Sequence, residues 1–268
     1  MSLPDLQHLS GLITAIADRE LPPRFNCRQG ERKSDGSLVT EADLVVQQAL
    51  TATLCEHWPD IAVLGEEMSR QDQQSALQQS VAGVWCVDPL DGTSNFAVGV
   101  PYYAVSVALV KDGRPYMGVV YDPSRGECFT ALAGHGAWLN GERLSASTPA
   151  TALRESLALI DLKRLSTVLA GRLATEPPYK SQRSFGAVAL DWCWLAAGRC
   201  HLYLHGRQKL WDYAAGYLVL QETGGRSVTL DGEDVFRPAL EARSAVAALD
   251  PALFEQWKSW LQVPDTQR

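Results

Sequence analysis

The sequence lacks several features that would point to a membrane or disulfide-rich protein. No apolar run approaches the roughly 20 residues needed to span a bilayer, and the six cysteines include no C-x-x-C pair. The first residues show no basic stretch followed by an apolar one, so we expect no signal peptide. We therefore predict a protein of the cytoplasm that contacts no membrane and whose cysteines are buried, reduced thiols.

Positive charge is also in deficit. The chain has 24 lysines and arginines against 31 aspartates and glutamates, a formal net charge of −7. Because phosphate backbones attract basic surfaces, we expect no nucleic-acid partner. The sequence shows no repeat, low-complexity tract or flexible linker. We predict one compact unit with an α+β half at residues 1–147 and an α/β half at residues 148–268.

Local patterns predict alternating helices and strands. Leucines and an isoleucine at helical spacing predict a helix over residues 4–18. Thr40, with Asp43 three residues later, is typical of a capping box and predicts a helix to about Trp58. Dipeptides of the type found in two-residue hairpin turns occur twice between apolar runs. They are Asp112-Gly113 and Asn140-Gly141. A single helix is predicted over residues 162–174.

The segment WCVDPLDGTSNF, residues 85–96, brings two carboxylates close together after an apolar run. Pro89 cannot donate to a sheet ladder, so we predict that it ends the strand and leaves Asp88 at the strand tip. Asp88 and Asp91 would then raise each other's pKa unless a divalent cation lies between them. Mg²⁺ prefers such oxygen ligands. Gly92 and Thr93 follow at a predicted helix start, where backbone N–H groups can bind phosphate.

Other parts of the chain provide a comparison and further acidic candidates. Asp122-Pro123 also follows an apolar run but lacks a second acid three residues later and a Gly-Thr, so we interpret it as a strand-ending turn. Glu66 and Glu67 follow the predicted strand IAVLG, and Asp212 begins the predicted helix WDYAAG. Taken singly, these acids are equally typical of solvated loop ends and helix termini. The specific signal is therefore the complete string D-P-x-D-G-T.

Together these motifs resemble the inositol monophosphatase family of the lithium-sensitive, Mg²⁺-dependent phosphatases. The matching segments are LVTEAD at 38–43, GEE at 65–67, DPLDGTSNF at 88–96 and WDYAAG at 211–216. The resemblance implies a layered α-β-α-β-α sandwich, as in fructose-1,6-bisphosphatases, and commonly a homodimer. It also implies hydrolysis of a small phosphorylated metabolite by a metal-activated water, with two or three Mg²⁺ ions and inhibition by Li⁺.

The same resemblance assigns roles to residues of this chain. The implied metal ligands are Glu66, Asp88, the Leu90 carbonyl, Asp91 and Asp212. The implied catalytic residues are Glu66, Asp91, and Thr93 paired with Asp43. The implied phosphate or substrate contacts are Gly92, Thr93, Gly186 and His205. Weaker matches are Lys33, Glu67 and Arg183. A covalent aspartyl-phosphate mechanism is disfavoured, because that class resembles D-x-D-G-T and the two acids here are three residues apart.

The substrate stays open at this point. His205 stands where inositol-selective members carry a glutamate, and Ala187-Val188 where they carry Thr-Ala. Both differences remove groups that bond a polyol hydroxyl. His205, Arg207 and Lys209 could instead suit a second phosphate or a carboxylate, or could be a solvated loop. The alternatives are a 3′,5′-bisphosphate nucleotidase, a histidinol-phosphate phosphatase or, in another class, a metal-binding interaction or regulatory protein with incidental phosphatase activity.

Overall fold

The computed structural model describes residues 4–27, 30–32, 38–78, 82–145 and 152–265. Its helices in these ranges are α1 Leu6–Glu20, α2 Glu41–His57, α3 Arg70–Gln78, α4 Thr93–Val98, α5 Thr167–Thr175, α6 Val188–Ala196, α7 Leu210–Glu222 and α8 Pro251–Leu261. Short 3-10 turns occupy Pro22–Arg24, Leu153–Glu155 and Leu162–Arg164. None of the helices in the described ranges has both the length and the apolarity to cross a membrane.

The strands form two large sheets and a small hairpin. The strands are β1 Glu31–Arg32, β2 Leu38–Val39, β3 Ala62–Gly65, β4 Val84–Asp91, β5 Ala104–Lys111, β6 Arg114–Asp122, β7 Glu127–Leu132, β8 Gly136–Leu139, β9 Glu142–Arg143, β10 Leu157–Asp161, β11 Ser181–Arg183, β12 Leu202–Gln208, β13 Arg226–Val228 and β14 Arg243–Ala248. The larger sheet has the order β3-β4-β5-β6-β7-β8-β9 and the smaller one β11-β10-β12-β14-β13. Strands β1 and β2 form a separate two-stranded sheet.

Five layers alternate through the molecule. The α1 and α2 helices pack on one face of the larger sheet through a core that includes Leu9, Val46 and Trp85. A second core joins the other face of that sheet to α6 and α7 and then to the smaller sheet. A third core joins the smaller sheet to α5 and α8. The predicted α-β-α-β-α sandwich is therefore confirmed.

Strand directions determine where the chain's polar residues meet. Strand β3 runs parallel to β4, whereas the remaining pairs of the larger sheet are antiparallel. In the smaller sheet, β10 runs parallel to both β11 and β12. The carboxyl ends of parallel neighbours lie at one edge, where open α/β sheets bind ligands. The two predicted hairpin turns are confirmed, with positive φ at Asp112, Gly113, Asn140 and Gly141.

Two predicted boundaries are wrong. The β4 strand continues through Pro89 to Asp91, because one extra residue bulges between the pairs Asp88–Ser106 and Asp91–Ala104 and spares the proline a ladder hydrogen bond. The helix predicted over residues 162–174 is divided into the 3-10 turn and α5. Ser166 separates them, since its hydroxyl accepts from the Leu169 N–H and caps α5.

The prediction of free cysteines is confirmed, whereas the prediction that all of them are buried is not. All six thiols are free, as expected, and Cys86, Cys193 and Cys200 are buried. Cys27 and Cys55 are exposed and Cys128 is partly exposed, so the expectation that all are buried is wrong. Burial raises the pKa of Cys86 and of Cys200 to about 12, which makes either thiol a poor nucleophile at neutral pH.

Candidate active site

Three acidic side chains meet at the carboxyl edge of the larger sheet. Gly65 and Val87 are register partners on parallel β3 and β4, so the next residues, Glu66 and Asp88, lie side by side. The Glu66 N–H donates to the Val87 carbonyl at 3.0 Å. Asp212 joins them from the first turn of α7. Carboxylate oxygens of Glu66, Asp88 and Asp212 all lie within 4.8 Å of one another.

Backbone N–H groups hold two of the neighbouring carboxylates in place. The Lys209 N–H donates to Asp212 Oδ2 at 2.7 Å. Asp91 accepts from the Val188 N–H at 3.1 Å and from the Ala189 N–H at 2.7 Å, both at the start of α6. A carboxylate at a helix N-terminus is favoured by the helix dipole. Each oxygen keeps a further lone pair, so these bonds leave the carboxylates able to bind a cation.

Burial and mutual repulsion disfavour the charged forms of the carboxylates at this edge. Burial, and then the charges of Glu66 and Asp91, raise the pKa of Asp88 well above its usual range. Burial and the charge of Asp212 do the same for the pKa of Asp91. The pKa of Asp212 is raised to about 7, again by burial first and then by Glu66. A cluster of anionic oxygens with raised pKa values fits a hard divalent cation such as Mg²⁺.

A hydroxyl group lies beside the cluster. Thr93 Oγ1 is 2.9 Å from Asp43 Oδ1 and 3.0 Å from the Leu90 carbonyl oxygen. Asp43 Oδ2 accepts from both the N–H and the hydroxyl of Thr40, at 2.7 and 2.6 Å. The predicted Thr40–Asp43 cap therefore also positions Thr93. Burial raises the pKa of Asp43, although the bonds from Thr40 and Thr93 oppose the rise.

Two glycines shape the adjacent turns. Gly92 has φ +87°, and a Cβ there would lie 3.0 Å from the Tyr102 carbonyl oxygen. Gly186 has φ +82° and precedes α6. Asn95 links the two segments, because its amide donates to the Tyr102 carbonyl at 2.9 Å and to the Phe185 carbonyl at 2.7 Å. The turn after β4 and the turn before α6 are thereby fixed against each other.

One cavity of about 590 Å³ contains these features. Its lining on the acidic side includes Glu66, Asp88, Leu90, Asp91, Gly92, Thr93, Gly186, Asp191 and Asp212. Its lining on the other side includes Asp161, Lys163, Arg164, His205 and Arg207. The volume is typical of pockets that bind small molecules. The structure thus brings the main predicted site residues to a single cavity.

The family comparison follows from this geometry and the motifs. The sequence model of the inositol monophosphatase family matches residues 6–261, nearly the whole chain. The chain belongs to the inositol monophosphatase family. The inositol-1-monophosphatase of Caulobacter vibrioides is 31% identical over 240 residues, which cover 86% of this chain and 91% of the relative. The Nus factor SuhB of Escherichia coli K12 is 35% identical over 203 residues, covering 74% and 73%.

Solved structures agree with the assignment to the inositol monophosphatase family. SaIMPase-II bound to inositol monophosphate has a TM-score of 0.77 and 27% identity, covering 96% of this chain and 93% of its own. The same protein bound to 2′AMP has a TM-score of 0.80 and 28% identity, covering 96% and 94%.

Of the two interpretations given for His205, anion binding or a solvated loop, the structure excludes the second. His205 lies on β12, is 5% exposed and has its Nε2 3.5 Å from Asp161 Oδ2, so the solvated-loop interpretation is wrong for this residue. Its Nδ1 accepts from the Arg207 N–H at 3.2 Å. Arg207 itself is exposed at the cavity mouth. Lys209 is the N-cap residue of α7.

The weaker candidates are less central. Lys33 lies outside the described residues. Arg183 is exposed on β11, and its guanidinium donates to Ser181 Oγ at 2.7 Å and to the Gln182 carbonyl at 2.8 Å. Glu67 is partly buried beside Glu66. Among the residues described here, the cavity lining includes neither Arg183 nor Glu67.

Sequence reasoning missed four charged residues of the cavity. They are Asp161, Lys163, Arg164 and Asp191. Asp161 is the register partner of His205 on the parallel strand β10. Its position directly after the short apolar run LALI was a usable signal, because acids at carboxyl ends of parallel strands share an edge. Asp191 lies within the apolar sequence of α6, and nothing in that pattern points to the cavity.

Proposed function

We propose that this member of the inositol monophosphatase family is a Mg²⁺-dependent phosphomonoester hydrolase acting on a small phosphorylated metabolite. The observation that carries the proposal is the approach of Glu66, Asp88 and Asp212 within 4.8 Å at the base of a ligand-sized cavity. We assign these three, with Asp91 and the Leu90 carbonyl, as metal ligands. The relatives named inositol monophosphatases support the same reaction class.

The chain's own groups account for the rest of the chemistry. When bound, Mg²⁺ supplies positive charge that offsets the phosphate and lowers the pKa of a coordinated water. Thr93 Oγ1 donates a hydrogen bond to Asp43, which leaves its lone pairs available to accept a hydrogen bond from the attacking water and so orient the proton that the water loses. Glu66 faces the same space and can accept that proton. The Gly92 and Thr93 N–H groups are assigned to the phosphate oxygens.

Replacing Thr93 by valine tests this role for the hydroxyl. Valine keeps the shape but removes the proton bridge to Asp43, so we expect kcat to fall about a hundredfold, the scale of general acid–base catalysis. Thr93→Ser is the matched control, because it restores the hydroxyl and should recover most of kcat. Phosphate release from glycerol 2-phosphate at saturating Mg²⁺ measures both variants. Equal kcat for Thr93→Val and the unaltered protein would remove Thr93 from the mechanism.

The substrate proposal has a general form and three specific candidates. An inositol monophosphate-like metabolite is supported by the names of the relatives and by the structures of SaIMPase-II bound to inositol monophosphate and to 2′AMP. A 3′,5′-bisphosphate nucleotide and histidinol phosphate are the alternatives, since His205 replaces the polyol-binding glutamate. By the same family likeness we propose a homodimer, which light scattering of the purified protein would measure.

A second candidate function belongs to another class. Relatives named Nus factor SuhB favour a metal-binding interaction or regulatory protein whose phosphatase activity is incidental. The complete acidic cluster favours catalysis, because a purely structural role would not need buried carboxylates with raised pKa values. Binding of Mg²⁺ without hydrolysis of any phosphomonoester would favour the interaction protein.

A further inference from the structure

We infer that the cavity is built for a phosphate monoester that carries a second anionic group, held by Lys163, Arg164 and Arg207. The inference rests on the proposed function and specifies its substrate class. The second group is a phosphate or a carboxylate, which these side chains recognise by the same charge-assisted hydrogen bonds.

The topology gathers the basic residues at one side of the cavity. The 3-10 turn Leu162–Arg164 follows directly on β10, and β10 runs parallel to β12 with Asp161 opposite His205. The turn and the end of β12 therefore leave the smaller sheet at the same edge. Lys163, Arg164 and Arg207 line the same cavity as the acidic cluster of the larger sheet.

Arg164 lines the same cavity as the acidic cluster. It is the last residue of the 3-10 turn Leu162–Arg164, and Glu66, Asp88 and Asp212 line the cavity with it. A substrate whose phosphate binds at the acidic cluster would therefore have its remaining groups in the cavity that Arg164 lines.

The acidic residues on this side do not cancel the positive charge. Asp161 is already paired, with its Oδ2 3.5 Å from His205 Nε2 and 3.8 Å from Lys163 Nζ. Asp191 lines the acidic side of the same cavity, and burial raises its pKa to about 8, which leaves that group largely uncharged at neutral pH. Three cations thus face one paired carboxylate. An uncharged polyol would form hydrogen bonds with these cations, as water does, but would not neutralise their charge.

The lack of a side chain at Gly206 lets the turn that carries Lys163 and Arg164 pack against β12. A Cβ at Gly206 would collide with the Arg164 carbonyl group, so β12 approaches the turn closely only because residue 206 has no side chain. The turn is thus fixed against the strand that carries His205 and Arg207. This packing sets the position of the turn's backbone, while the side chains of Lys163 and Arg164 are exposed.

Matched substrate pairs test the inference. The first pair is adenosine 3′-phosphate and 3′-phosphoadenosine 5′-phosphate, which differ by one phosphate. The second pair is glycerol 2-phosphate and 2-phosphoglycerate, which differ by one carboxylate. We expect kcat/KM to be at least about tenfold higher for the doubly anionic member of one pair, the effect of one charge-assisted hydrogen bond. The pair that shows the larger ratio identifies the second anion.

Variants locate the preference within the cavity. Arg164→Gln and Lys163→Gln should each reduce the ratio within the responsive pair about tenfold at saturating Mg²⁺, mainly through KM. Gly206→Ala should reduce the same ratio by displacing the turn. Arg154→Gln is the matched control, since Arg154 is 86% exposed on another turn, and the ratio should not change.

The outcomes separate this inference from the proposed function. Ratios near one in both pairs, or a higher kcat/KM for inositol 1-phosphate than for both doubly anionic compounds, would overturn the second-anion inference while the hydrolase remains. A ratio that Arg164→Gln and Lys163→Gln leave unchanged would also overturn it. Failure to hydrolyse any of the five compounds with Mg²⁺ would overturn the proposed function itself, and the inference with it.

Discussion

Substitution of Asp88 by asparagine is expected to lower Mg²⁺-dependent phosphate release at least about a thousandfold. Asp88 is 2% exposed and lies between Glu66 and Asp91 in the charge cluster. The metal contributes several kcal/mol of charge stabilisation to phosphoryl transfer, and a neutral amide at this position removes a carboxylate that we assign as a metal ligand. A loss of about 4 kcal/mol corresponds to a factor of about a thousand in rate.

The same substitution should leave the fold intact. Asp88 Oδ1 accepts from the Leu90 N–H at 3.1 Å, and an asparagine oxygen can accept that bond. Removing one buried negative charge also relieves repulsion with Glu66, Asp91 and Asp212. Without metal, the variant should therefore unfold at a temperature no lower than that of the unaltered protein.

Asp122→Asn is the matched control, because Asp122 is also a buried aspartate before a proline. Its carboxylate accepts from the Ser124 N–H and pairs with Arg125 at 2.7 Å. We assign Asp122 no role in catalysis. We expect this variant to lose stability but to keep Mg²⁺-dependent turnover while folded. Near-normal turnover of Asp88→Asn would show that the metal site is wrongly assigned.

Replacement of Asp191 by asparagine is expected to remove a large pH dependence of stability in the metal-free protein. Burial raises the pKa of Asp191 from its usual 3.8 to about 8, with the charge of Asp161 adding to the rise. The folded protein thus holds a proton that the unfolded chain releases near pH 4. The folded state therefore loses stability as pH rises between these values, by about 1.4 kcal/mol per pH unit.

The asparagine variant carries no proton to lose at this position and can still accept from the Tyr102 hydroxyl, which lies 2.9 Å from Asp191 Oδ1. The difference in free energy of unfolding between the variant and the unaltered protein should therefore rise by about 3 kcal/mol, in favour of the variant, between pH 5 and pH 7. Urea unfolding in EDTA at several pH values measures the difference. Asp112→Asn, at an exposed hairpin turn, is the control, and its difference should stay constant. If the difference in free energy of unfolding between Asp191→Asn and the unaltered protein stayed constant with pH, the pKa of Asp191 would not be raised in the folded protein.

The acidic side of the cavity could be predicted because its residues follow one another in recognisable strings. Asp88, Asp91, Gly92 and Thr93 lie within six residues of sequence, and β4 carries them to the sheet edge as a unit. The capping box of Thr40 and Asp43 was likewise visible locally. Its contact with Thr93 was not a local feature, because it joins α2 to α4 across fifty residues.

The other side of the cavity could not be predicted in the same way. Lys163 and Arg164 read as part of a continuous helix, since Leu162 and Leu165 fit a helical spacing. Ser166 ends that pattern by capping α5, and the turn before it is then free to follow the edge of β10. Only the parallel pairing of β10 with β12 brings Asp161 to His205. Long-range register of this kind is not encoded in a short motif.

Pro89 shows why a correct local rule gave a wrong boundary. Proline indeed cannot donate to a sheet ladder. The chain accommodates it with a bulge, so the strand resumes and carries Asp91 in a position to accept from the start of α6. The error affected the strand boundary but not the expectation that Asp88 and Asp91 would lie close together.

Phosphate release from the purified protein, first stripped of metal with EDTA and then titrated with Mg²⁺, tests the central claim most directly. The substrates are inositol 1-phosphate, 3′-phosphoadenosine 5′-phosphate, histidinol phosphate, fructose 1,6-bisphosphate and glycerol 2-phosphate. We predict no release in EDTA and saturable activation by Mg²⁺ with at least one substrate. Hydrolysis that is independent of Mg²⁺, or no hydrolysis of any substrate when Mg²⁺ is bound, would contradict the account.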